Sequence, residues 1–269
     1  MDLNSPVSLT RQAELLCVSR ASLYTKPTSP SEARLALLSA VDEIYTQQPT
    51  FGTRRLCVLL ERDYKICVGR DAIRSAMETL GLSAIYPKKQ TSTAHPEHTV
   101  YPYLLRGIRA ACPNHIWGTD ITYIRLERGF CYLSAMLDWF SRKVLAWTLS
   151  NTLTTDFCMT TLQTALAAAV PDFHNSDKGS QFTSDAYLSM LKQQERIHIF
   201  MDGRGRCMDN IFTERLWRSV KYEDIFLKGY QTMEEVREGL TAYFDFYNSK
   251  RPHQSLGYKT PNEIYSSLN

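Results

Sequence analysis

Missing from these 269 residues is any cysteine pair spaced as CxxC: the seven cysteines stand singly at 17, 57, 67, 112, 131, 158 and 207, and their odd number fits no closed disulfide framework. They read as reduced thiols of a cytoplasmic protein. A basic start followed by an apolar run is missing from residues 1–10, so no secretory leader is expected. Long apolar runs are missing too. Even the stretch 162–171 (LQTALAAAVP) stops at a proline, well short of the roughly 20 residues a membrane helix needs, so no membrane partner is expected. Charge is nearly balanced at +3, but residues 1–110 hold fourteen Lys and Arg against ten Asp and Glu, whereas 111–269 hold seventeen against eighteen. The basic surplus is therefore N-terminal, which is compatible with nucleic-acid binding without demanding it. No internal repeat or low-complexity tract appears.

What is present is an ordinary globular composition, 43% hydrophobic and 22% charged, on a chain long enough for about two domains of roughly 150 residues each. Residues 8–16 (SLTRQAELL) put Leu9, Ala13 and Leu16 on one helical face with Ser8 as cap. A second short helix from Ser19 turns Arg20, Ser22 and Tyr24 outward, so 1–28 reads either as a helix-turn-helix contacting DNA or as a plain hairpin. Pro27 and Pro30 break the chain. Residues 29–86 form a second helical module: Leu35, Leu38, Val41 and Ile44 share a face, a helix over 51–60 has Thr53 as candidate cap, and another runs from about 70 to 80. Its Arg54, Arg55, Arg70 and Arg74 either approach phosphates or are solvated helix faces. Residues 87–113 read as a linker, where His95 and His98 are solvated and no structural zinc is expected. Strands follow at 116–126, 130–137 and 143–149, an antiparallel meander, then a helix (155–170), strand (172–176), helix (184–195), strand (197–200) and helix. That order, over 114–224, predicts an α/β core with helices packed on a mixed sheet, followed by a C-terminal helix and tail at 225–269.

Three acids in this core stand out. Asp120 sits inside 117–124 (WGTDITYI), a strand that would ordinarily exclude a carboxylate unless it has a partner, an edge position or a bond to Thr122. Asp177 lies in 174–182 (HNSDKGSQF), just past a short strand, where an Asx turn is the simpler alternative and Gly179 permits close backbone approach. Glu214 lies in the helix 208–223 (MDNIFTERLWRSVKYE), with Phe212, Leu216 and Val220 toward the core. At about 100° per residue, Asn210, Arg218 and Lys221 share the face of Glu214, which alone could be solvated ion pairing. Together the acids offer oxygen ligands from a strand, a turn and a helix to hard divalent cations. Two such cations about 4 Å apart would serve both the attacking and the leaving oxygen of an in-line phosphoryl displacement.

Residues 117–124, 138–144 (DWFSRKV), 176–183 (SDKGSQFT), 201–210 (MDGRGRCMDN) and 247–261 (YNSKRPHQSLGYKTP) resemble the DDE integrase-core transposases, specifically the second-frame protein of insertion-sequence family three. The similarity spans nearly the whole chain, more weakly over the N-terminal helices. It implies an RNase H-like catalytic core with a mixed five-stranded sheet, and Asp120, Asp177 and Glu214 as catalytic and metal-binding triad. Mg²⁺ is the implied cofactor, with Mn²⁺ as substitute and two ions per site. Lys221, seven residues after the glutamate, is implied to contact DNA, and the DNA-contact set extends to Lys178, Arg204 and Arg206. The implied activity is cleavage at element ends by water, then attack of the freed 3'-hydroxyl on another DNA strand. Implied partners are the terminal inverted repeats, target DNA, at least a second copy of the chain, and an upstream-frame protein or fusion segment. The expected place of action is the bacterial cytoplasm, at the nucleoid.

Two departures from the family pattern stand in the sequence. Thirty-six residues separate Asp177 from Glu214 where the family usually has thirty-five, and Asn175 intervenes between His174 and Ser176-Asp177. Asp138 belongs to a motif the family uses structurally. Two other functions remain open at this level: a DNA-binding regulator without turnover, which would shift DNA in a gel but never nick it, and a nuclease for RNA–DNA hybrids.

Overall fold

Side chains that alternate along three long strands build the sheet. In the computed structural model, which describes residues 6–15, 19, 29–85, 109–177, 179–201 and 211–267, strands β1 (Ile116–Arg125), β2 (Phe130–Asp138) and β3 (Val144–Ser150) form an antiparallel meander. Strands β4 (Phe173–Ser176) and β5 (His198–Met201) add in parallel, giving the order β3-β2-β1-β4-β5. Leu133, Ala135 and Leu137 of β2 point to one face, and Met136 to the other, as a period of two requires.

Each face is then covered. Helices α5 (Asp156–Leu166) and α6 (Asp185–Lys192) bring Phe157, Leu162, Tyr187 and Leu191 against Trp117, Met136 and Ala146. On the opposite face α7 (Ile211–Val220) and α9 (Met233–Ser249) bury Leu216, Val220, Leu240 and Phe244 against Ile124, Leu133 and Val144. Each such side chain, fully buried, stabilises by about 1.5–3 kcal/mol before entropy is counted. The expected mixed sheet with helices on it is thus observed, with boundaries within a few residues of those read from the sequence.

Upstream, α1 (Leu9–Leu15) is followed by a three-helix unit, α2 (Glu32–Gln47), α3 (Thr53–Tyr64) and α4 (Arg70–Thr79), with its own core of Val41, Leu56, Leu60 and Ile73. Two local expectations fail here. Gly52, not Thr53, is the N-cap of α3, and it makes no side-chain cap bond. Leu35 is 52% exposed, while Leu37 and Ala40 turn inward in its place. The proposed partner of α1 falls on residues outside the described ones, as do Arg20, Ser22, Tyr24, His95 and His98.

Past α7 the helix widens into a π-helical turn (Lys221–Ile225) and runs on into α8 (Phe226–Lys228). The chain ends in α10 (Pro261–Ser266), opened by Thr260 in a capping box with Glu263. The tail is stitched to the sheet. Asn248 accepts a hydrogen bond from the Val144 amide at 3.0 Å and donates to its carbonyl at 2.9 Å, satisfying the backbone of β3 as a neighbouring strand would. Among the described residues five cysteines are free thiols, and no helix is long and apolar enough to cross a membrane.

Candidate active site

Strand β1 pairs with β4 only from Ile116 to Gly118, against Phe173 to Asn175. Continuing that register by two residues brings Asp177 level with Asp120, at the carboxyl ends of two parallel strands that have begun to part. Such a parting leaves a crevice in which ligands of α/β sheets bind. Asp120 has the parity of Ile124, whose side chain joins the core under α7, so its carboxylate points to the α7 face.

Two donors hold it there. The Trp217 indole Nε1–H donates to Asp120 Oδ2 at 2.9 Å, and the Ile121 amide donates to Oδ1 at 2.8 Å. Trp217 lies one turn beyond Glu214 on α7, so this bond also fixes the helix that carries the third acid. Sequence reasoning missed Trp217. Its spacing of three from Glu214 was visible, but a tryptophan in an amphipathic helix gives no sign that its N–H is needed.

Burial pushes the Asp120 carboxyl up to about 6 despite the Trp217 and Ile121 bonds, and the negative charges of Asp177 and Glu214 push the same way. The three acids are therefore electrostatic neighbours. Lys221, in the π-helical turn, also belongs to the group: its Nζ sits 4.8 Å from the Tyr123 ring centroid. Burial lowers the lysine's pKa while Asp120 pulls it back up. Asp177 is exposed, and its Oδ1 accepts a hydrogen bond from the Gly179 amide at 2.9 Å, so the Asx turn exists alongside the alignment with Asp120. A Cβ at Gly179 would stand 2.9 Å from that same oxygen, which explains the glycine. Glu214 is exposed on the first turn of α7.

The neighbouring candidates divide plainly. Asp138 is fully buried and spends its oxygens on the Asn114 amide (2.9 Å), the Ser141 amide (2.8 Å) and the Ser141 hydroxyl (2.6 Å), the duty of a turn-holding residue. His174 is buried, its Nε2 3.1 Å from the Tyr187 hydroxyl, and burial lowers its pKa to about 4, leaving a neutral ring. Arg54, Arg70 and Arg218 are exposed and line one cleft, whereas Arg74 pairs with Asp71 at 2.9 Å on its own helix. Arg55 departs from the outward-facing cation expected of it: its guanidinium turns inward to Glu223 at 3.0 Å. Lys178, Arg204, Arg206 and Asn210 lie outside the described residues.

Glu223 is the centre of a second cluster that no sequence signal marked. Arg251 grips it with Nε and Nη2, each at 2.6 Å, Arg55 adds a third bond, and the Tyr243 hydroxyl donates at 3.1 Å. Burial raises the pKa of Glu223, but Arg251 and Arg55 outweigh it and hold the carboxyl down at about 2. The motif at 247–261 thereby acquires its meaning: Arg251 anchors Glu223, and the His253 ring packs edge-on against Tyr247.

Do the three acids suit a divalent cation? Their donor atoms are hard carboxylate oxygens, and among the described residues Lys221 is the cation that Asp120 acts on, so they fit. Among the described residues no three His, Cys, Asp or Glu side chains already stand at metal-holding spacing, so the acids form an open neighbourhood.

Two integrase core domain families match residues 110–207 and 195–261, and an HTH-like domain family matches residues 32–90. The chain is 32% identical over 256 residues to the transposase for insertion sequence element IS904 of Lactococcus lactis, covering 90% of this chain and 98% of that protein. It is 30% identical over 257 residues to an uncharacterized 31 kDa protein of insertion element IS600 of Shigella sonnei (91% and 93% covered). Over 272 residues it is 29% identical to the transposase InsF for insertion sequence IS3fB of Escherichia coli (96% and 93% covered). In fold it is similar to a chain of the simian T-cell lymphotropic virus intasome, with a TM-score of 0.53 at 18% identity, covering 84% of this chain and 74% of that one.

Proposed function

Because the chain belongs to the insertion-sequence transposases built on an integrase core domain, we propose that Asp120, Asp177 and Glu214 are the carboxylates with which it cuts and rejoins DNA. As a DDE transposase of insertion-sequence family three, it is a polynucleotidyl transferase acting in transposition and DNA integration. The observation that carries the residue assignment is the Asp120 carboxylate, enclosed on the central strand and coupled to both other acids.

The cofactor class is divalent cation. We assign Mg²⁺, with Mn²⁺ as substitute and two ions per site, to oxygens of Asp120, Asp177 and Glu214. Bound there, it would supply Lewis acidity at phosphoryl oxygens and countercharge for the attacking and leaving oxygens. The chain's own contribution is positioning. Trp217 and Ile121 keep Asp120 aimed at the α7 face, the Gly179 turn holds Asp177 at the mouth of the crevice, and Lys221 faces the phosphates. The reaction class is hydrolysis of a phosphodiester at each element end, water bonding to phosphorus as the 3'-oxygen leaves, followed by attack of that 3'-hydroxyl on target DNA.

We further propose that 1–28 and 29–86 contact the terminal repeats, that 87–113 is the linker, and that the catalytic core includes α9, since Val236, Leu240 and Tyr247 pack into its main cluster. Two ends must be held at once, so the working form on DNA has at least two copies, with an upstream-frame segment as further partner. It acts on bacterial DNA in the cytoplasm.

The test uses labelled terminal-repeat DNA with Mg²⁺ or Mn²⁺. Asp120→Asn, Asp177→Asn and Glu214→Gln should each lose at least a thousandfold in end cleavage while binding the ends within about twofold of the parent. Full cleavage by any one of them removes that residue from the assignment.

A further inference from the structure

A cleft of about 900 Å³ opens between the α3–α4 unit and the side of α7 that turns away from Asp120; the three carboxylates do not line it. Arg54 and Arg70 reach it from the first turns of α3 and α4, and Arg215 and Arg218 reach it from α7. All four are exposed, and among the described residues none forms an ion pair or a hydrogen bond. Arg142 joins them in the wall, its guanidinium 3.3 Å from the Phe212 ring centroid, with its pKa pushed down to about 10 by burial first and by Arg215 as well. The acid in the lining, Glu223, is already engaged by Arg251 and Arg55.

Like charges that line one cleft repel, as Arg215 does Arg142, and the repulsion is relieved when an anion enters. The backbone points the same way. Gly52 caps α3 without a side-chain bond, and Gly52 and Thr53 both line the cleft, so the positive N-terminal end of α3 borders it. Round α7, Arg218 stands about 40° from Glu214 and Arg215 about 100°. A polyanion leaving the cleft past Arg218 arrives at the face that carries Glu214.

We propose that this cleft holds the sugar–phosphate backbone of duplex DNA, bridging the HTH-like unit and the catalytic core along one path. The proposal rests on the DNA-transposase reading above and adds Arg142 and Arg215 to its binding surface. Guanidinium forks and helix-end N–H groups grip phosphates and carry no base code, so the cleft binds every sequence alike.

The experiment measures binding of the full chain to a terminal-repeat duplex and to a random duplex across a salt series. Replacing Arg54, Arg70, Arg215 and Arg218 together by Ala should weaken both complexes at least tenfold at moderate salt. The slope of log K against log salt should become shallower by about three to four, since each phosphate no longer neutralised removes about 0.9. The fourfold Arg→Lys variant should recover most of the slope. An unchanged slope overturns the proposal, and so does a weakening confined to the terminal sequence, which would mean base readout. Should the fourfold alanine protein melt early, Arg70→Gln and Arg215→Gln, one from each wall, carry the test at about one unit of slope each. Wild-type end cleavage is assayed in parallel: nicking with unaltered slope defeats the cleft alone, whereas a shallower slope without any nicking by the wild type defeats the catalytic reading alone.

Discussion

At the scale of the residue, Trp217 decides how well the site is aimed. Its indole N–H supplies one of two donors to Asp120 and joins α7 to β1 at the level of the acids. A phenylalanine keeps most of the apolar packing and removes the donor, leaving an enclosed carboxylate oxygen with one bond fewer, at a cost of about 1–3 kcal/mol. Trp217→Phe should therefore melt earlier and cleave ends at least tenfold more slowly, since each 1.4 kcal/mol of misplacement at the transition state is a factor of ten. DNA affinity should stay within twofold. Cleavage at the parental rate would show that Asp120 needs no such guide. Gly118, two residues before Asp120 on β1, has a reason of its own, because a Cβ there would meet the Trp139 indole nitrogen.

At the scale of the element, the π-helical turn after α7 matters because it changes which side chains face inward. Over Lys221–Ile225 the ladder takes one residue more per turn, and Glu223 falls under Arg251 while Lys221 stays beside Asp120. Glu223 titrates far below its ordinary value of 4.5, at about 2. A depressed carboxylate contributes stability above its unfolded pKa and loses it as pH falls through the folded one. About 3 kcal/mol should thus drain away between pH 4.5 and 2. Urea unfolding of Glu223→Gln over that range should show a flatter pH dependence from a lower starting stability; an equally steep fall in the variant would contradict the assignment.

Elements also show what the sequence could and could not tell. The five strands and the helices over them were legible because period two and period three-to-four patterns follow directly from which face is buried. Asp120 was legible because an acid inside a buried strand contradicts its surroundings. The π-helical turn was not, since nothing in KYEDI distinguishes it from one more α-helical turn. Nor was the inward face of α2: Leu35 and Leu37 both satisfy a helical stripe, and only packing against α3 and α4 chooses Leu37. Arg55 reads in the sequence as a phosphate-contacting or solvated cation because its partner lies 168 positions away.

At the scale of the whole molecule, the HTH-like unit is fastened to the core through α3. Arg55 reaches Glu223, Arg62 donates to the Lys250 carbonyl at 3.2 Å, and Phe51 packs 6.3 Å from Phe246. Arg55→Ala should loosen that attachment without touching the acids. Calorimetry should then resolve two unfolding transitions where the parent shows one, and a single transition in the variant would mean the remaining bonds suffice.

Arg251 enters the chain 28 positions after the glutamate it satisfies. A premature stop at 250 or 251 would leave all three acids readable in the gene and Glu223 charged, still beside Tyr243 of α9 and deprived of its chief partner, a penalty of about 3–5 kcal/mol. Copies of such an element shortened in this way would keep an intact signature and yield a protein unable to stay folded. Surveys of degenerate genomic copies should therefore score residues 250–269 before declaring an element active.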